Sequence, residues 1–130
     1  IFTNCDTLIT DDYSAILKKH KESGNRVTMI CSLKKYTIPY GVVIPDDNGE
    51  ILELREKPDY SFFTNTGTYI VEPDVLNLIG YEERIGFPDV IMRAKERGMK
   101  VGICPIGESN WLDMGQLDSM EEMKNRLGLN

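Results

Sequence analysis

The residues of this chain with the clearest chemical potential are two aspartates, a lysine ahead of a proline and a short amide–hydroxyl–glycine run. Asp6 follows the strand-like run Ile1-Phe2-Thr3 and is read at the C-terminal end of a strand, the edge where open α/β sheets bind ligands. A carboxylate on rigid backbone there suits Mg²⁺, which takes hard oxygen ligands and keeps several waters. A helix-capping or turn aspartate is the plainer reading of that position by itself. Trp111-Leu112-Asp113-Met114-Gly115 sets a lone tryptophan, an acid and a glycine two residues apart. In extended backbone such residues point the same way, and Gly115 permits a tight turn. Asp113 would complete a Mg²⁺ site with Asp6 if the fold joins the two strand ends. A buried tryptophan anchoring a last helix, with Asp113 as its cap, explains the same residues.

Glu56-Lys57-Pro58 closes an apolar run. Pro58 biases Lys57 towards extended backbone, so the ammonium has a set direction and is a compact charge for phosphate oxygens. An exposed charge pair before a turn, worth at most about 1 kcal/mol, is the simpler alternative. Asn65-Thr66-Gly67 offers an amide, a hydroxyl and a bare backbone in succession, groups that read sugar hydroxyls, with Gly67 allowing close approach. Tyr40-Gly41 offers the same from a neighbouring strand; turns and strand bulges account for both as well. No Ser/His/Asp or Cys/His nucleophile pattern is present, His20 reads as structural on a helix face, and Glu82-Glu83 as a solvated loop.

The elements that must position these groups follow from periodicity. Residues 1–4 read as a buried strand. A helix runs from Asp11-Asp12 to Ser23, with Tyr13, Ile16, Leu17 and His20 on one face and Gly24 as its stop. Residues 26–33 form a strand buried on both sides. This strand–helix–strand order predicts a βαβ unit with parallel pairing. Residues 40–44 and 51–57 around Asp46-Asp47-Asn48-Gly49 predict a hairpin. A strand over 65–71, short helices over 73–79 and 88–97, a strand over 100–106 and an amphipathic helix over 116–127 complete an α/β layered fold with a mixed sheet.

Composition narrows the field. The chain has 130 residues and a formal charge of −6, against a nucleic-acid surface, which needs clustered Lys and Arg. That charge requires a cation or focused basic groups to offset an anionic ligand. No apolar run approaches the roughly 20 residues of a membrane span. Cys5, Cys31 and Cys104 match no metal-binding spacing and read as buried, reduced thiols of a cytoplasmic protein. Opening on Ile1-Phe2-Thr3 inside a strand-like run leads us to expect a longer natural protein on the N-terminal side.

The order of the clusters resembles the sugar-1-phosphate nucleotidyltransferases. Asn4-Cys5-Asp6, Tyr40-Gly41-Val42-Val43, Glu56-Lys57-Pro58, Asn65 to Ile70, Phe87-Pro88-Asp89 and the Trp111 cluster succeed one another in register over essentially the whole chain. Ser32-Leu33-Lys34-Lys35-Tyr36 and Ile38-Pro39 lean towards the mannose-1-phosphate guanylyltransferase-like branch. The resemblance implies a Rossmann-like, GT-A-like fold with a mixed sheet. It implies attack of a sugar-1-phosphate on the α-phosphorus of a nucleoside triphosphate, releasing pyrophosphate and giving GDP-mannose or a related nucleotide sugar. Asp6 and Asp113 would then bind Mg²⁺ and Lys57 the sugar phosphate, while Gly41, Glu56, Asn65 and Thr66 would meet the sugar hydroxyls. The family's glycine-rich triphosphate loop is not in these 130 residues. The chain is therefore expected to be the C-terminal, sugar-phosphate-binding part of one nucleotidyltransferase domain, without transferase activity alone and prone to self-association. A non-catalytic sugar-binding or regulatory module, and a glycosyltransferase using a finished nucleotide sugar, are the competing readings.

Overall fold

The computed structural model describes residues 1–115, 124, 125, 127 and 128. A four-stranded sheet runs in the order β1 (Phe2–Thr3), β6 (Asp59–Val71), β3 (Val27–Thr37), β7 (Val101–Ile106). β6 is antiparallel to both β1 and β3, and β3 is parallel to β7, so the sheet is mixed as expected. Successive β3 residues feed opposite faces. Ile30 joins Ile16, Ile70, Cys104 and Ile106 in one core, and Val27 joins Tyr69, Val75, Val90 and Ala94 in the other. Helix α1 (Tyr13–Ser23) covers the first face; the 3₁₀ helix Pro73–Leu78 and α2 (Phe87–Glu96) cover the second. Burial on both faces is why the first half of β3, Val27 to Ser32, shows no alternation of apolar and polar residues, whereas its second half is largely exposed.

Local chemistry sets the helix ends. The Asp12 carboxylate accepts from Ser14 N–H at 2.8 Å, and Gly24, at φ +67°, closes α1 through a bond from its N–H to the Lys21 carbonyl. This is the acceptor-at-start, glycine-at-end pattern of helix capping. Ile16 and His20 are buried, with Tyr13 and Leu17 against the same core. His20 is structural: Nδ1 lies 2.7 Å from Thr28 Oγ1 and Nε2 3.1 Å from Glu72 Oε1.

Four expectations change. The first strand is exposed rather than buried, because β6 is its one partner in the described sheet. The strand–helix–strand unit is split: β1 and β3 run the same way, but β6 lies between them and supplies the hydrogen bonds to both. Cys31 and Cys104 are buried free thiols, and burial pushes both pKa values up; Cys5 is free but exposed. Glu83 is not simply solvated, since it grips Arg93 through both carboxylate oxygens and accepts from Gly80 N–H.

Two further pairs lie outside the main sheet. β2 (Thr7–Ile9) pairs antiparallel with β8 (Trp111–Asp113), a ladder the sequence pattern did not reveal because each partner has three residues. β4 (Val42–Pro45) and β5 (Ile51–Arg55) form the expected hairpin. Its turn is held by the Asp46 carboxylate, which accepts from Asn48 and Glu50 N–H, and by Gly49 at φ +86°. The amphipathic helix expected over 116–127 lies largely outside the described residues. No described helix is long and apolar enough to cross a membrane.

Candidate functional site

A cleft of about 420 Å³ opens where β1, β2, β6 and β8 meet. Asp6, Asp113, Asn65 and Thr66 all line it, with Asn4, Thr7, Gly67, Trp111 and an aromatic wall of Phe2, Tyr69 and Phe87. Asp6 and Asp113 are 107 positions apart in sequence, and pairing of β2 with β8 brings them together. Asp113 lies opposite Thr7, and Met114 N–H donates to the Asp6 carbonyl at 2.8 Å. Leu112, between Trp111 and Asp113, points the other way and is buried. The alternation expected of 111–113 is therefore present, with the acid and the indole both at the cleft.

The Asn65–Gly67 run owes its position to a bulge. Met29 faces Tyr69 and Cys31 faces Asn65, so residues 66–68 of β6 face Ile30 alone. Gly67 sits at φ +78° in this bulge, and the Asn4 amide nitrogen would be 2.5 Å from a Cβ placed there. Positive φ and close approach both call for glycine. Asn65 braces the bulge: its Oδ1 accepts from Gly67 N–H at 2.9 Å, and its Nδ2 donates to Tyr69 Oη at 2.7 Å. The Thr66 hydroxyl donates to the Ile30 carbonyl at 2.8 Å and is buried. It thus helps set the cleft floor, while the second Nδ2 hydrogen of Asn65 stays available to a ligand.

The remaining candidates form a second group. Gly41 and Glu56 are neighbours across the β4–β5 hairpin, with Glu56 Oε2 3.3 Å from where a Cβ on Gly41 would lie. Lys57 follows in the bend into β6. Gly41, Glu56 and Lys57 do not line the cleft. Lys57 also departs from the expected extended backbone, standing at φ +43°. Lys57 lies in the bend between the end of β5 at Arg55 and the start of β6 at Asp59, where the backbone departs from the bias imposed by Pro58. A left-handed residue with a side chain costs about 1–2 kcal/mol, and such strain gathers at functional positions.

Both aspartates suit a hard cation. Asp6 makes no side-chain hydrogen bond among the described residues; Asp113 Oδ1 accepts from Gly115 N–H at 2.9 Å, leaving Oδ2 for a ligand. No group of three or more His, Cys, Asp or Glu converges among the described residues. A two-carboxylate set fits Mg²⁺, which commonly takes one or two carboxylates and fills its shell with water and substrate phosphate.

A mixed sheet covered on both faces, with acids and amides gathered at strand ends, is a Rossmann-like α/β arrangement with a ligand cleft at its edge. The chain belongs to the nucleotidyl transferase family, whose family model matches residues 1–128. It is 34% identical over 120 residues to a UTP–glucose-1-phosphate uridylyltransferase of Synechocystis sp., covering 86% of this chain and 30% of that protein. It is 28% identical over 119 residues to the mannose-1-phosphate guanylyltransferase catalytic subunit beta of Drosophila melanogaster, covering 87% of this chain and 31% of that protein. Among solved structures, a putative glucose-1-phosphate thymidylyltransferase from Bacillus anthracis in complex with a sucrose superposes with TM-score 0.59 at 19% identity. That match covers 96% of this chain and 52% of the other. HddC from Yersinia pseudotuberculosis gives TM-score 0.61 at 15% identity, covering 96% and 53%. These two establish the fold. The expected kinship with sugar-1-phosphate nucleotidyltransferases is borne out, and the chain spans about a third of the length of the curated relatives it matches.

Proposed function

We propose that this chain is the acceptor part of an enzyme that joins a sugar-1-phosphate to a nucleoside triphosphate, giving a nucleotide-diphospho-sugar and pyrophosphate. The observation that carries the reading is the convergence of Asp6 and Asp113 on one cleft with Asn4, Asn65 and Trp111. Amides and backbone around Gly67 meet sugar hydroxyls, and Trp111 offers an apolar face to the ring. Asp6 and Asp113 would hold Mg²⁺, which supplies neutralisation of phosphate charge when bound. Lys57, in the separate group it forms with Glu56 and Gly41 outside the cleft, would reach the sugar phosphate as a point charge on a flexible stem. The sugar-phosphate oxygen is then presented in line to the α-phosphorus. Catalysis by positioning and electrostatics needs no covalent enzyme intermediate.

Within this class, we favour mannose-1-phosphate with GTP. The motif resemblance and the guanylyltransferase relatives support that pair, and the uridylyltransferase relative makes glucose-1-phosphate with UTP its competitor. Titration calorimetry of the 130-residue chain with each sugar-1-phosphate, with Mg²⁺ and with EDTA, tests the acceptor role. Mg²⁺-dependent binding of one of them is expected. No binding of either would refute the proposal.

A further inference from the structure

We propose that Lys34 is a positioning residue for this cleft, acting through Trp111 and Glu108 on the strand that carries Asp113; the inference rests on the acceptor reading above. Lys34 lies near the outer end of β3, yet its side chain is only 24% exposed. Its ammonium sits 2.5 Å from Glu108 Oε1 and 5.3 Å from the centroid of the Trp111 ring. Glu108 opens the 3₁₀ turn Glu108–Asn110, which leads directly into β8. One lysine therefore holds both the entry to β8 and its first residue.

That hold matters because β8 is short. It is three residues long and, among the described residues, its ladder partner is β2, itself three residues long; Leu112 anchors the opposite face of β8 in the core, but two-stranded ladders are marginal by themselves. The indole Nε1 of Trp111 is buried and has no hydrogen-bond partner among the described residues. No hydrogen bond sets the ring's angle, which leaves packing and the cation near the ring to do so. Indole is the strongest of the aromatic partners for a cation, and partial desolvation strengthens the attraction. Trp111 lines the cleft and Lys34 does not, so Lys34 positions a ligand through the indole and β8, a route that E108Q separates from direct attraction of an anion, because removing the Glu108 charge would strengthen such attraction rather than weaken binding.

Trp111 is the only tryptophan in the chain, so its fluorescence reads the arrangement directly. K34M keeps the apolar stem and removes the charge; K34R keeps a cation able to stack on indole and pair with Glu108. The experiment compares emission spectra of the unliganded chain and its K34M, K34R and E108Q variants. It then titrates each with mannose-1-phosphate and glucose-1-phosphate in Mg²⁺, with circular dichroism as the check on folding. K34M is expected to shift the emission and weaken sugar-phosphate binding by about threefold to tenfold, with K34R within twofold of the parent. E108Q should move both readouts in the direction of K34M by a smaller amount, which keeps the test decisive should K34M fail to fold. Parental emission and affinity in a folded K34M, or in E108Q alone if K34M does not fold, would overturn the proposal. Lack of binding by the unsubstituted chain would instead overturn the acceptor reading, a failure visible without any substitution.

Discussion

The Asn4 side chain lies against the bare Cα of Gly67, so close that a Cβ there would stand 2.5 Å from Asn4 Nδ2 and 2.9 Å from Cγ. The two residues are also tied by backbone, Asn4 N–H donating to the Gly67 carbonyl at 3.0 Å. G67A is therefore expected to incur two costs: about 1–2 kcal/mol for an L side chain at φ +78°, and a further displacement of Asn4 from the cleft. Gly98 is the control, since its φ is +76° with nothing within 4 Å of a built Cβ. Urea melts should show G67A less stable than G98A by about 1 kcal/mol or more, the usual scale of overpacking. Equal losses would mean that Asn4 moves freely.

The paired aspartates make the next prediction. D6N and D113N should each weaken Mg²⁺-dependent sugar-1-phosphate binding by about tenfold or more, since a neutral amide is a poor ligand for a hard cation. Neither should lower the melting temperature much, because Asp6 is exposed and Asp113 half-buried. Calorimetry with and without EDTA checks this. Affinity in D113N that still rises normally with Mg²⁺ would exclude Asp113 as a ligand.

The clamp of Glu83 on Arg93 gives a pH dependence. Arg93, assisted by Gly80 N–H, lowers the Glu83 carboxyl from its ordinary 4.5 to about 2. The folded value is depressed, so the contribution is complete above pH 4.5, fades as pH falls and is gone below about 2. Comparing thermal melts of the parent chain and E83Q should show a gap at neutral pH that narrows from pH 4.5 to 2. Both side chains are about a third exposed, so the gap should also shrink in high salt. A gap constant over that range would place the Glu83 contribution outside its charge.

Thr28 is the centre of a buried polar group, 2.7 Å from His20 Nδ1 and 3.0 Å from Asn25 Nδ2. T28V preserves shape while stripping both of a partner. Each buried unpaired group costs about 1–3 kcal/mol, so chemical denaturation should show a loss of about 2 kcal/mol or more. The His20–Glu72 contact is left in place by this change, which separates the two halves of the network.

The β4–β5 hairpin leaves Ile51, Leu52 and Leu54 more than 60% exposed, and Tyr36, Phe62 and Phe63 are exposed at the same end of β3 and β6. Apolar surface of this kind favours association. Light scattering should show a mass that rises with concentration, and L52S/L54S should reduce the rise. A monomer at high concentration in the parent would contradict this.

Much of the molecule is local in origin and was legible as such. The Asp12 and Gly24 caps, the face of α1, the Asn48-Gly49 hairpin and the two-sided burial of β3 each depend on residues within a few positions of one another, where side-chain period and backbone preference decide the outcome. The pairing of β2 with β8 was not legible, because three-residue strands carry no usable period. Insertion of β6 between β1 and β3 depends on a choice among partners that lie from 22 to 67 positions apart in the chain. The left-handed backbone at Lys57 lies in the bend that joins two different sheets, β5 to β6, against the preference of its own dipeptide.

The site divides the same way. Sequence alone determined that Asp6, Asn65, Thr66 and Asp113 are chemically able groups set in short, rigid segments. Their meeting in one cleft, the bulge that leaves Asn65 and Thr66 bracing it, and the separate grouping of Gly41, Glu56 and Lys57 were decided by tertiary structure. The reason is physical: residue type and spacing specify what a side chain can do and which face it takes. Which distant side chains share that face depends on strand pairing and on the packing of the two cores, both of which act across the whole chain.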